Sequence, residues 1–173
     1  ALAEIDGRLG FTHDGIQAQG IRAKAMNSEL RIDVQPLAKG NTRITATAML
    51  DTADIARQLA PLPLHFADGQ ARFEIGVDIP SGTHSAAAPV LLSVKSPLQG
   101  IAIALPAPLG KSARETRMLA VQMPLSGGRA VGQLDYGDDL SARFSADGSA
   151  VDVRFGGAQA ELQEAPGVRL SGT

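Results

Sequence analysis

Few residues in this chain have the type and spacing for chemistry, and the most suggestive is the triplet inside Leu109-Gly110-Lys111-Ser112. A loop that cradles phosphates ends in this way, with its leading glycine five positions before the second one and a run of backbone N–H donors between them. Here the leading position is Leu105, and Pro106 and Pro108 remove two of the donors. The pattern fails, and no nucleotide is expected. Leu105-Pro106-Ala107-Pro108-Leu109-Gly110-Lys111 reads instead as a rigid, extended exit from a strand.

The remaining candidates are scattered. His13, His65 and His84 lack the short spacings by which a strand or helix presents metal ligands together, so no metal site is expected. Ser81, His84 and Ser85 share a loop with Gly82 and Ala86 to Ala88, without the Gly-x-Ser-x-Gly elbow of a nucleophile. Asp138-Asp139 places neighbouring carboxylates on opposite faces of any strand and suits a turn. With Asp135 they also lack the regular oxygen spacing of a calcium loop. Asp147 and Asp152 stand near each other without such spacing either. These residues offer no acid, base or nucleophile in working order, so the chain reads as no enzyme, with no catalytic residues and no cofactor.

The charge balance narrows the partners. Eighteen acidic against 16 basic side chains give a net charge of -2, which leaves no positive field for a nucleic-acid backbone. An electrostatic membrane anchor is disfavoured for the same reason. Cysteine is absent, which excludes disulfides and thiolate sites. No run approaches the ~20 apolar residues of a membrane-spanning helix. The chain opens Ala1-Leu2-Ala3-Glu4 without an initiator methionine and stops at Leu170-Ser171-Gly172-Thr173 inside what reads as a strand. Residues 1–173 are therefore expected to form a single segment of something longer.

The elements that would position any site are written in a period of two. Ile5, Gly7, Leu9 and Phe11 alternate with polar neighbours, as do Ile21, Ala23 and Ala25, then Leu30, Ile32 and Val34. The pattern continues with Ile44 to Leu50, Phe73 to Ile79, Val90 to Val94, Ile101 to Leu105 and Leu119 to Leu125, and on through Leu134, Phe144, Val153 and Leu170. Asp14-Gly15, Lys39-Gly40-Asn41, Asp68-Gly69, Ser81-Gly82, Ser126-Gly127-Gly128, Tyr136-Gly137-Asp138 and Asp147-Gly148 supply turns between these runs. About a dozen short strands in consecutive hairpins are expected. One segment differs: Asp51 and Thr52 offer caps, Ile55 and Leu59 lie four apart, and Pro61 and Pro63 stop the run, predicting a short α-helix near 52–60.

Aromatics make up only 3% of the residues, so the inner face is built from Ile, Val, Leu, Met and Ala. Such a face fits either a thin closed sandwich or a curved sheet whose concave side something else fills, and composition alone favours the closed sandwich or barrel.

Three stretches, in order, resemble a known family. They are Gly15-Ile16 with the strands ending Arg31-Ile32-Asp33-Val34 and Thr42-Arg43-Ile44-Thr45-Ala46; the run Gly100-Ile101-Ala102-Ile103-Ala104-Leu105-Pro106-Ala107-Pro108-Leu109-Gly110-Lys111 leading into Leu119-Ala120-Val121; and the closing Gly156-Gly157-Ala158 with Ala165-Pro166-Gly167-Val168-Arg169-Leu170-Ser171-Gly172. Together they resemble the YhdP family, AsmA-like envelope proteins of Gram-negative bacteria related to TamB. The resemblance implies a mainly β fold: a curved antiparallel sheet of consecutive hairpins, like a folded taco, forming an open apolar groove. It also implies one internal length of a repetitive periplasmic groove, with the full-length protein anchored in the inner membrane. The implied role is movement of phospholipid between the membranes and maintenance of the outer-membrane permeability barrier, with acyl chains and neighbouring segments of the same chain as partners. Ile32, Val34, Ile44, Ile75, Val77, Val121 and Met123, the aliphatics of the cleanest strands, are expected to face the groove. A rival expectation is a β-sandwich spacer or protein-interaction module that binds by strand addition.

Overall fold

The computed structural model describes residues 3–13, 15–58, 64–81, 89–125, 131–145, 147–157, 159–161 and 167–172. The first half forms β1 (Ala3–Asp6), β2 (Leu9–Thr12), β3 (Gly15–Ala25), β4 (Ser28–Pro36), β5 (Thr42–Asp51), α1 (Thr52–Gln58) and β6 (Ala67–Ile79). The second half forms β7 (Leu91–Ser96), β8 (Ile101–Ile103), β9 (Leu119–Pro124), β10 (Val131–Tyr136), β11 (Leu140–Ser145), β12 (Ala150–Phe155) and β13 (Gly167–Gly172).

All of these strands belong to one open, curved, 13-stranded sheet, ordered β1-β3-β4-β5-β6-β7-β9-β10-β11-β12-β13, with β2 on β3 and β8 on β6. The closed sandwich or barrel favoured by composition is therefore not what forms. At ~4.8 Å per strand the path spans about 50 Å.

The sheet also departs from a simple chain of hairpins in ways the alternation could not show. The run from Ile5 to Phe11 is two strands, interrupted at Gly7 and Arg8, and Gly7 lies so close to Ile21 that an added methyl would lie 2.6 Å from its side chain. β8 leaves the path to pair with the start of β6, so β7 pairs with β9 instead. β12 and β13 run parallel, and of the residues between them 159–161 lie against the polar face, where Ala160 N–H donates to Ser141 Oγ and Glu161 N–H to Asp152 Oδ2. Asp68-Gly69 is not a turn but the beginning of β6.

Local chemistry explains the rest. Met26 and Asn27 both adopt positive φ, the backbone of a two-residue hairpin whose twist matches the strands it joins. The register of β3 shifts between Ala18 and Ile21, where Gly20 at φ +64 donates its N–H to Asp33 Oδ1 at 2.7 Å. Such a bulge bends a sheet. The helix matches its expected start, with Ala53 N–H bound to Asp51 Oδ1 at 2.8 Å, while Thr52 Oγ donates to the Gly69 carbonyl and ties it to β6. It ends at Gln58, and Leu59 and Ala60 lie outside the described residues.

Candidate functional site

Because antiparallel partners share a face, the register can be followed across the sheet. One row runs Ile21, Ile32, Ala46, Ile75, Val94, Val121, Leu134, Ala142, Val153 and Leu170 without a polar side chain. A second lies beside it: Leu9, Ala18, Val34, Ile44, Val77, Leu92 and Met123. The expected groove residues Ile32, Ile75 and Val121 fall in the first row, and Val34, Ile44, Val77 and Met123 in the second. All of them share one face and all are half-buried. Behind the first row runs Arg22, Arg31, Thr47, Glu74, Lys95, Ala120, Asp135, Ser141, Arg154 and Ser171, almost wholly polar.

Along one margin the aliphatic face is covered. Ala23, Leu30, Ala48 and Phe73 form a third row there, with Leu119, Tyr136 and Leu140 beyond it. Residues 97–118 and α1 lie over it, and Leu98, Ile101 and Phe73 are buried at 5%, 3% and 6% exposure. Between this cap and the sheet remains a cavity of about 350 Å³. Its floor includes Phe73, Leu119, Leu134 and Tyr136, and its roof Leu98, Ile101, Ile103, Leu105 and Leu109, with Ile55 alongside. The alternation had identified most of these as strand aliphatics. What it could not show was that Leu98 and Leu109 come together with them, because that depends on the path of the cap.

Lys111 holds the cap. Its ammonium is turned inward and donates to the carbonyls of Leu98 at 2.8 Å, Ser112 at 2.9 Å and Ile101. Burial pulls its pKa below the ordinary lysine value, with Glu115 opposing and Arg117 adding to the effect. The extended exit expected over 105–111 is instead a turn. Leu109 and Gly110 N–H groups donate to the Pro106 carbonyl, and Lys111 returns to pair with Ile103. Tyr136 Oη reaches the Leu109 carbonyl at 2.8 Å, and Arg117 spans the Tyr136 ring, the Pro108 carbonyl and Asp139. Burial raises the Tyr136 pKa, and Arg117 opposes the rise.

The other polar candidates do not converge. His13 is exposed after β2, the His65 ring meets Phe66 edge-on at 6.0 Å, and His84 and Ser85 lie outside the described residues. Among the described residues no cluster of His, Asp or Glu is arranged to hold a metal. Asp138 and Asp139 form the β10–β11 turn. Asp147 closes the β11–β12 turn: hydrogen bonds from Ser145, and from the backbone and hydroxyl of Ser149, lower its pKa to about 2. Because the folded value is depressed, the stability this group contributes is present above its unfolded pKa of ~4 and lost as pH falls from there towards 2. The protection of the Ser149 amide, measured against its intrinsic exchange rate at each pH, should therefore fall over that interval, while Asp147→Asn should flatten the response.

A family model described as YhdP protein matches residues 1–173. The chain belongs to the YhdP family. No curated protein and no solved structure matches it. Membership places the chain among the AsmA-like envelope proteins. No helix among its described residues is long and apolar enough to cross a membrane.

Proposed function

We propose that this YhdP-family chain contributes a hydrocarbon-holding face to a periplasmic conduit that moves phospholipid between inner and outer membranes and so maintains the outer-membrane barrier. The full-length protein is anchored in the inner membrane, neighbouring segments of the same chain continue the face, and no catalysis is involved. The observation that carries this reading is the unbroken aliphatic row from Ile21 to Leu170, half-buried along most of its length and backed by a polar row.

The energetics suit such a role. A methylene removed from water gains ~0.8 kcal/mol, so a chain of about sixteen carbons gains on the order of 10 kcal/mol if fully covered and roughly half that on a one-sided surface. Binding of this kind needs continuity across strands rather than particular polar contacts, and it tolerates lateral movement because successive sites are alike.

A photocrosslinker at position 94, in the middle of the row, should capture phospholipid in cells, whereas one at Lys95 on the polar face should not. Ile75→Asp or Val121→Asp places a carboxylate on the hydrocarbon path and should lower the yield about tenfold. Undiminished capture in folded variants would defeat the proposal.

A further inference from the structure

We infer that the cavity beneath the cap is a pocket for the end of a single unbranched hydrocarbon tail, of about a dozen carbons and no more. The inference rests on reading the aliphatic face as a lipid surface and adds to it a bounded site at the margin.

Size sets the limit. An apolar cavity of ~150 Å³ accepts benzene, about 25 Å³ per carbon, so a cavity of about 350 Å³ holds roughly 14 carbons. Two phospholipid tails do not fit. Polarity sets the chemistry. The hydroxyls that line the space are already engaged, Thr52 with the Gly69 carbonyl at 3.1 Å and Tyr136 with the Leu109 carbonyl at 2.8 Å, and Lys111 is committed to the carbonyls of the cap. A headgroup inside would lose its hydration without gaining a partner. Position supplies the entry. Leu134 belongs both to the cavity floor and to the row after Val121, so a tail lying on the row can pass under the cap without leaving apolar surface. The buried Leu98 and Ile101 form part of its roof.

The test is a chain-length series. Sodium salts of fatty acids with eight to eighteen carbons, each below its micelle concentration, are titrated calorimetrically into the 173-residue chain. Affinity should rise about fourfold per added carbon, at one molecule per chain, and level off near 12 to 14 carbons. Ala67 lines the cavity, so Ala67→Leu adds three carbons of side chain to its wall and should move the break about three carbons shorter. An affinity still climbing at eighteen carbons, a break unmoved by Ala67→Leu in the folded variant, or no saturable binding overturns the inference. Crosslinking from position 94 reads the open face independently. Capture there without a break in the series overturns only the pocket, and a break without capture overturns only the conduit.

Discussion

Gly100→Ala should cost about 3 kcal/mol and detach the cap, whereas Gly148→Ala should cost about 1 kcal/mol and leave the fold intact. Both glycines adopt positive φ, +102 and +72 respectively, so both substitutions introduce backbone strain. What differs is the space. Around Gly148 an added methyl meets nothing within 4 Å, but at Gly100 it runs into the carbonyl of Gln70, which is fixed within β6. Gly69, at φ +114 on the opposing strand, makes the reciprocal approach to the Gly100 carbonyl. Neither methyl can be accommodated by rotating a side chain, because the obstacle in each case is main chain. The β6–β8 pairing must separate, and with it the seat of Ile101 over Phe73. A loss of this size should lower the melting temperature by roughly 10 °C in a chain of this length. Limited proteolysis should then cleave within 97–118 before any other described segment. Equal melting temperatures for the two variants would show that the glycine crossing does not hold the cap.

That crossing marks where the sequence stops being readable. Period-two alternation fixes which residues share a face within a strand, and this is why the aliphatics chosen from separate strands lie on one side of the sheet. Which strands stand side by side is set by non-local pairing. Nothing in Val94 or Val121 announces that their strands are neighbours, since Ile101 to Leu105, lying between them in the sequence, alternates like any other strand. The Asp68-Gly69 pair carries a turn signature, yet its glycine serves close backbone approach. The Met26-Asn27 turn lacks glycine and was invisible for the converse reason. Lys111 is the sharpest case: its spacing from Gly110 and Ser112 directs attention to phosphate, while its partners are carbonyls of its own cap. Sequence spacing reports which atoms are available, and only the fold decides what they meet.

Lys111→Met should therefore cost about 3 kcal/mol. Methionine fills similar space but donates no hydrogen bond, so the carbonyls of Leu98 and Ile101 are left in a region from which water is largely excluded; Lys111 itself is only 6% exposed. Each hydrogen bond from a charged donor contributes ~1.5–3 kcal/mol, and relief from burying an ammonium offsets part of the loss. The damage should be local. Residues joined by β3 to β6 and β9 to β12 keep their ladders, so far-UV dichroism should change little while the amides of Ile101 and Ile103 exchange faster. The cavity roof would loosen, and the chain-length break for fatty acids should blur or move towards longer chains as the pocket loses its boundary. Lys111→Arg should not rescue, because a guanidinium is too broad and planar for a site in which one nitrogen meets converging carbonyls. If Lys111→Met melts with the unaltered chain and keeps the same break, the inward ammonium is incidental and the cap is held by its apolar contacts alone.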